Sequence, residues 1–244
     1  MKLRIVLVEP REAGNVGAVA RAMKNFGFDD LVIVGEHPPL EPLGWWWASG
    51  ASDIVERARF TATLLEAIGD AKLTIATTPS RGRSMPIDLK PVDVAELAST
   101  LNDDDVLALV FGREDSGLTR DEVVLCQRTA VVPTNERFPT MNLAQTVCVF
   151  CYELSSTERP VTPRERPTAE LVERLHERVG ALLLEIGFSQ EDNPDRIYDD
   201  VRAMAGRADL DEREVRILLA MVRQVEWALR SSGATRPDTP RSSR

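Results

Sequence analysis

The chain has 244 residues and a formal net charge of −9, from 39 acidic and 30 basic side chains. This length can bury one large core and a second, smaller one. No apolar run approaches the roughly 20 residues that a membrane span needs, and no signal peptide is recognisable, so we expect a cytoplasmic protein without a membrane partner. An acidic balance disfavours RNA phosphate. Nearly all the basic residues are arginines, however, and arginine binds phosphate bidentately, so the charge leaves an RNA partner open.

Cysteine and histidine offer little chemistry. The number of cysteines is three, and an odd number argues against a disulfide framework. Cys148 and Cys151 form a C-x-x-C inside an apolar helical pattern, without the further ligands of a zinc site, so we expect core packing and no metal. His37 and His176 lie outside the motifs described below.

Short apolar runs alternate with helical patterns over residues 1–156. The runs typical of strands are Leu3–Val8, Leu31–Val34, Leu73–Ala76, Val106–Phe111 and Thr129–Val132. Helices are predicted at about 15–26, 61–69, 92–101, 119–126 and 142–155. This alternation predicts an α/β domain with a parallel sheet covered by helices, and such sheets bind ligands at the carboxyl ends of their strands.

The remaining third of the chain has a different character. Residues 157–167 carry three prolines and predict a linker. Helical periodicity then predicts an all-helical extension over residues 168–232, in which Asp211 and Glu214 form a capping box. We expect the polar tail, residues 233–244, to be disordered.

The glycine-bearing segment after the first strand has two interpretations. Gly14-x-x-Gly17-x-x-Ala20 resembles a loosened dinucleotide-binding turn, with Glu36 where a ribose-binding acid would lie. Five residues separate Val8 from Gly14, however, and the middle glycine of the fingerprint is missing. A nicotinamide-dependent oxidoreductase is therefore only an alternative.

The second interpretation centres on Arg21. Gly14, Gly17 and Arg21 fall on one helical face, and side chains lean toward a helix N-terminus, so Arg21 would reach back over space that the glycines leave open. Asn15 would cap the helix or hold a ligand oxygen. A surface arginine beside a glycine needed for packing remains the structural alternative, and spacing alone does not decide between them.

Polar loops follow the other strands too. The segments are ATTPSRGR (residues 76–83), ALVFGREDSGLTRDE (108–122) and AVVPTNERFPTMNLAQTV (130–147). The second contains a predicted helix cap, Thr119 ahead of Glu122. Loops from several strands at one carboxyl edge predict a binding site.

Three of these segments resemble, in order and spacing, the three motifs of the SPOUT RNA 2′-O-methyltransferases. They are Asn15-x-Gly17-x-x-x-Arg21, Leu109-Val110-Phe111-Gly112-Arg113-Glu114-x-x-Gly117-Leu118 and Thr140-Met141-Asn142-Leu143-Ala144. Residues 206–215 resemble the helical extension of the TrmJ-type tRNA enzymes, so the resemblance covers nearly the whole chain. Thr140 stands where the family typically has serine, which preserves the hydroxyl.

The resemblance implies a C-terminal trefoil knot in the α/β domain, a homodimer, and S-adenosylmethionine as cofactor. It implies 2′-O-methylation of a tRNA ribose, at anticodon-loop nucleotide 32, ahead of ribosomal RNA as substrate. The implied cofactor contacts are Thr77, Thr78, Pro79, Gly112, Glu114, Val132, Met141, Asn142 and Leu143. A non-catalytic RNA-binding scaffold is a further alternative.

Arg21 is the implied central catalytic group, with Asn15, Glu114, Thr140 and Asn142 arranging substrate and loops. A guanidinium is effectively always protonated in proteins, so we expect Arg21 to stabilise the developing alkoxide and the adjacent phosphate. The proton leaves to water or through Thr140.

Two further groups of residues are candidate RNA contacts. The arginines near the predicted pocket are Arg11, Arg21, Arg81, Arg83 and Arg113. Three consecutive tryptophans, Trp45 to Trp47, either stack on RNA bases or pack against the protein body or a dimer partner. We favour packing.

Overall fold

The computed structural model describes residues 1–78, 89–156, 165–188 and 194–232. These residues form two compact units, one of residues 1–170 and one that starts at Leu171. Over the described ranges, no helix has both the length and the apolar character to cross a membrane.

The first unit is built on six parallel strands in the order β3-β2-β1-β5-β4-β6. Their bounds are β1 Lys2–Val8, β2 Asp30–Val34, β3 Arg59–Thr61, β4 Leu73–Thr77, β5 Val106–Phe111 and β6 Arg128–Ala130. Val6 of β1 lies opposite Val32 of β2 on one side and Val110 of β5 on the other. The predicted parallel sheet is confirmed.

Seven helices belong to the described part of this unit. They are α1 Ala13–Asn25, α2 Leu43–Ala48, α3 Ser52–Glu56, α4 Leu64–Ile68, α5 Pro91–Ala98, α6 Arg120–Val124 and α7 Leu143–Ser156. Successive side chains of a strand point to opposite faces. Ile5 and Leu7 therefore join a core with α1, α5 and α7, whereas Val6 and Val8 join another with α4 and α6. Both faces of the sheet are covered, as predicted.

The differences from the predicted elements are small and local. Sheet pairing of the strand predicted at Thr129–Val132 ends at Ala130. Three short elements, α2, α3 and β3, were not predicted from the sequence. Each spans only three to six residues, which is too short to show a recognisable periodicity of apolar residues.

The second unit contains α8 and α10 packed through an apolar cluster, with α9 between them in the chain. Their bounds are α8 Ala169–Glu185, α9 Pro194–Arg207 and α10 Glu212–Ser232, and Leu175 and Leu219 represent the cluster. The capping box predicted before α10 is present, since the Asp211 carboxylate accepts a hydrogen bond from the Glu214 amide at 2.8 Å. Most of the predicted linker, and the predicted tail, lie outside the described residues.

Candidate active site

A cavity of about 380 Å³ lies at the carboxyl ends of β4, β5 and β6. This volume is in the usual range for small-molecule sites. Eight predicted cofactor contacts line it: Thr77, Thr78, Gly112, Glu114, Val132, Met141, Asn142 and Leu143. The ninth, Pro79, lies outside the described residues. Asn15 and Thr140 line the same cavity, so the loops predicted at the strand ends converge on one place.

Three side chains, one from each motif, are joined at the wall of this cavity. Asn15 Nδ2 donates to Glu114 Oε1 at 2.9 Å, and Asn142 Nδ2 donates to Asn15 Oδ1 at 3.0 Å. The Asn15 amide thus uses its donor toward one motif and its acceptor toward another. Residues more than 90 positions apart in the chain form a single hydrogen-bonded unit.

Glu114 and Asn142 are each fixed by backbone amides as well. Glu114 Oε2 accepts from the Arg11 amide at 2.8 Å, and Oε1 accepts from the Glu12 amide at 3.3 Å. Asn142 Oδ1 accepts from the Ala144 amide at 2.9 Å, at the start of α7. The Glu114 carboxylate therefore links the loop after β5 to the start of α1. The Asn142 side chain accepts a hydrogen bond from a backbone amide in the first turn of α7.

Asn15 does not cap α1, which was one of the two roles predicted for it. Helix α1 begins at Ala13 after Glu12, and no side chain caps it. Asn15 lies inside the first turn, so it does not cap the helix. Its side chain instead serves the hydrogen bonds to Glu114 and Asn142.

Arg113 is held between two glutamates beneath the loop after β5. Its Nε donates to Glu9 at 3.0 Å, and its two terminal nitrogens donate to Glu122 at 3.0 and 3.1 Å. The hydrogen bond from Arg113 lowers the pKa of Glu9. With a side chain only 12% exposed, Arg113 is better placed to hold this loop than to contact RNA, the role suggested by its sequence position.

Glu122 completes this ion pair from α6. Burial raises the pKa of its carboxyl, but the hydrogen bonds from Arg113 and from the Thr119 backbone oppose burial, and the net shift is downward. The Thr119 hydroxyl accepts from the Glu122 amide at 3.2 Å and the Thr119 amide donates back at 2.7 Å, which confirms the predicted cap. The start of α6 is therefore fastened to the loop after β5.

Gly112 is required by a close approach of the chain to itself. A Cβ at this position would lie 2.2 Å from the Gly117 carbonyl carbon and 2.3 Å from the Leu118 nitrogen. Gly117 itself has a φ of +68°, in the region that favours glycine. The Gly117 amide donates to the Arg113 carbonyl at 2.8 Å. The turn carrying Glu114 is thus closed by backbone contacts that a larger residue at 112 would disrupt.

The sequence predicted that the two glycines of α1 leave an open space for Arg21. In the structure, α2 fills that space. A Cβ at Gly17 would lie 2.0 Å from the Gly44 carbonyl oxygen and 2.8 Å from the Ala48 nitrogen. A Cβ at Gly14 would lie 3.0 Å from Trp47 Cδ1. The glycines therefore allow a helix to approach closely, and that part of the prediction is wrong.

Arg21 is exposed and does not line the cavity formed by its own chain. Along the described ranges, its guanidinium has no ion pair or hydrogen bond. The geometry of one chain therefore brings Asn15, Glu114, Thr140 and Asn142 together but not Arg21.

The structure describes some of the other candidate RNA contacts but not all of them. Arg11 is exposed and lies 3.6 Å from Glu9, whereas Arg81 and Arg83 fall outside the described residues. Trp46 is 71% and Trp47 is 61% exposed in the single chain, so packing of the tryptophans against the body or a dimer partner stays a prediction.

The histidines and cysteines take structural positions. Burial lowers the pKa of His176 to about 3 in the second unit, and exposed His37 lies against Phe60. Burial raises the pKa of Cys151 to about 12. Within the described ranges, no three His, Cys, Asp or Glu side chains are grouped to hold a metal ion.

The role of two residues in organising the site was not identified from the sequence. Glu9 and Glu122 lie outside the three motifs, and Glu122 was predicted only as part of a helix cap, yet both bind Arg113. Glu9 has a φ of +43°, which is uncommon for a residue with a side chain. The charges of Glu9, Arg113 and Glu122 were visible in the sequence, but their pairing depends on strand order.

A family model described as the SpoU rRNA methylase family matches residues 2–152. The chain belongs to this family. The match covers the whole sheet and all three motifs, so the resemblance seen in the sequence is confirmed, and so is the predicted fold of parallel sheet, covering helices and helical C-terminal region. The SpoU family assignment favours the methyltransferase interpretation over the dinucleotide interpretation of Gly14 and Gly17.

Individual relatives extend the SpoU family likeness beyond residue 152. LasT of Escherichia coli K12, named an uncharacterized tRNA/rRNA methyltransferase, is 34% identical over 93% of this chain and 98% of its own. The tRNA (cytidine/uridine-2′-O-)-methyltransferase TrmJ of Citrobacter koseri is 32% identical over 92% of this chain and 96% of its own. The crystal structure of TrmJ from Z. mobilis ZM4 has a TM-score of 0.80 and 29% identity, covering 93% of this chain and 100% of that one.

Proposed function

We propose that this protein transfers the methyl group of S-adenosylmethionine to a ribose 2′-hydroxyl of tRNA. One observation carries the proposal: the hydrogen-bonded unit of Asn15, Glu114 and Asn142 joins all three motifs at the wall of one cavity. The name of the Citrobacter koseri relative gives its activity as 2′-O-methylation of cytidine and uridine in tRNA.

The cavity suits a cofactor of this kind in size and lining. Its walls combine backbone-rich loop segments, the apolar side chains of Val132, Met141 and Leu143, and polar groups such as Thr77 and Asn142. Apolar walls with fixed polar groups that orient a ligand are typical of small-molecule sites, and the polar share of this lining suits a cofactor that carries charged and hydroxyl groups. When bound, the sulfonium group supplies an electrophilic methyl carbon, so the protein has only to position and activate the ribose oxygen.

Arg21 supplies the positive charge for this step. A protonated guanidinium stabilises the alkoxide that develops as the hydroxyl loses its proton, and it holds the adjacent phosphate through paired donors. Holding the hydroxyl in line with the methyl carbon contributes further. Thr140 lies on the cavity wall and offers one route for the proton, with water as the other.

We propose that a second copy of the chain completes the site, as a homodimer. Arg21 is exposed and does not line the cavity of its own chain, so a partner must bring the guanidinium to the cofactor. We also propose that the loops around the cavity form a trefoil knot, which is rare among proteins and is implied by the SPOUT resemblance.

We propose anticodon-loop nucleotide 32 as the target, in the cytoplasm. Ribosomal RNA is the second candidate, because the matching family model is described as an rRNA methylase. The extension, residues 168–232, and the SPOUT domain, residues 1–156, then act on one substrate.

The first test uses the purified full chain. S-adenosylhomocysteine should raise the melting temperature in proportion to its affinity, and NAD should not, because a ligand of the folded state stabilises it. Labelled methyl groups should then enter bulk tRNA rather than ribosomal RNA. Stabilisation by NAD alone, or no incorporation into either RNA, would refute the proposal, and incorporation only into ribosomal RNA would reassign the substrate.

A further inference from the structure

Helix α2 holds one tryptophan against the start of α1. The closest approach is between backbones, at Gly17 and Gly44, where a Cβ on Gly17 would lie 2.0 Å from the Gly44 oxygen. One turn earlier, the place of a Gly14 Cβ lies 3.0 Å from Trp47 Cδ1 and 3.2 Å from Trp47 Nε1. The indole edge of Trp47 therefore rests on a position without a side chain, and the ring is still 61% exposed.

The Trp47 ring contacts the residue next to one that lines the candidate active site. Gly14, against which the ring lies, immediately precedes Asn15, and Asn15 lines the cavity and is hydrogen bonded to Glu114 and Asn142. Trp47 does not itself line the cavity, but the residue that it contacts is the neighbour in sequence of the hydrogen-bonded unit that we assign to the methyl transfer.

An exposed cation precedes the part of α1 that Trp47 contacts, which fits a nucleic acid. Arg11 is exposed and lies three residues before Gly14, just ahead of α1. Aromatic rings interleaved with cations are typical of surfaces that bind single-stranded nucleic acid, whereas charged residues are depleted at the centres of protein interfaces. A base of unpaired RNA therefore suits this surface better than a second protein chain does.

We propose that Trp47 stacks on an unpaired base of the RNA substrate, next to the nucleotide whose ribose is methylated. This inference rests on the proposed function. Stacking tolerates any base, because every base has a π-face, so Trp47 contributes to affinity and register without selecting a sequence. Gly14 and Gly17 act as positioning residues. Because they lack side chains, α2 can pack closely against α1, and this close packing sets the position of the Trp47 indole.

The test compares three single variants with the wild-type full chain on an unmodified tRNA transcript. Trp47→Ala should raise KM for tRNA about tenfold, which corresponds to ~1.4 kcal/mol. Its kcat at saturating tRNA and its affinity for S-adenosylhomocysteine should not change. Trp47→Phe should retain most of the wild-type KM because it keeps a stacking ring. Phe60→Ala is the matched control, an exposed aromatic residue on β3, two strands away from β1.

A second readout does not depend on turnover. With Trp45, Trp46 and Trp227 replaced by Phe, Trp47 is the only tryptophan left, and adding tRNA should quench its fluorescence. An unchanged KM in Trp47→Ala, or no quenching, would overturn the inference. A change of oligomeric state in Trp47→Ala would also overturn it, because the surface would then be a protein interface. A wild-type protein that methylates no RNA would refute the proposed function itself, whereas an active wild type with a normal Trp47→Ala variant refutes only this inference.

Discussion

Neighbouring residues of the loop after β5 have separate tasks. Arg113 points into the protein and pairs with Glu9 and Glu122, while Glu114 reaches the amides at the start of α1 and the Asn15 side chain. The motif identified both residues from the sequence. It did not tell which one is structural, because that depends on where β1 and α6 lie relative to the loop.

Arg21 is the residue on which the proposed chemistry depends. Arg21→Ala should lower kcat by at least about 1000-fold, because preorganised charge at a developing oxyanion contributes on this order. Cofactor binding should remain near normal, since the proposed contacts of Arg21 are with the ribose oxygen and the adjacent phosphate and not with the cofactor. Arg21→Lys should also fail, because lysine lacks the paired donors of a guanidinium. The measurement is single-turnover methyl transfer with S-adenosylhomocysteine affinity alongside.

The control for Arg21 is Arg57→Ala. Arg57 is another exposed arginine of the first unit, paired with Asp53, and surface ion pairs of this kind contribute little. Its replacement should leave the rate within about twofold of wild type. Retained methylation in Arg21→Ala would remove Arg21 from the mechanism.

At the scale of elements, the contact between α1 and α2 depends on Gly17. Gly17→Ala should lower the free energy of unfolding by about 2 kcal/mol, the usual cost of forcing extra atoms into a packed contact. The neighbours at 2.0 and 2.8 Å are backbone atoms of α2, so relief requires the helix to shift. Urea denaturation measures the loss.

Gly14→Ala is the matched comparison, in the same helix and with the same change. Its new Cβ would meet only the exposed Trp47 ring at 3.0 Å, which can move. Alanine is a better helix former than glycine by about 1 kcal/mol, so stability should be unchanged or slightly higher. Equal losses for the two variants would show that the close approach at Gly17 is not what matters.

Helices and strands with a strong periodicity of apolar residues could be predicted from the sequence. The elements that pack against them could not. The buried face of α1, with Val16, Val19 and Met23, followed from helical spacing. The meaning of Gly14 and Gly17 did not, because it depends on α2, a helix of six residues too short to predict. Helical spacing showed that Gly14 and Gly17 lie on one face of α1. Only the fold showed that α2 packs against that face.

For the whole molecule, the place of the site was more predictable than the strand order. Parallel strands gather the loops at their carboxyl ends, so the segments after β4, β5 and β6 were expected to meet, and they line one cavity. The insertion of β5 between β1 and β4 was not expected, although it brings Glu114 to Asn15. That placement results from long-range pairing, which local sequence does not encode.

Methylation of one tRNA ribose that depends on Arg21 is the central claim, and its most direct test is the position of the product. Unmodified tRNA is incubated with S-adenosylmethionine and either wild-type protein or Arg21→Ala, and 2′-O-methylation is mapped at nucleotide resolution. We predict one new methylated ribose, at nucleotide 32 of the anticodon loop, with the wild type and none with Arg21→Ala. A tRNA without any methylated ribose after incubation with the wild type, or the same product from both proteins, would contradict the account.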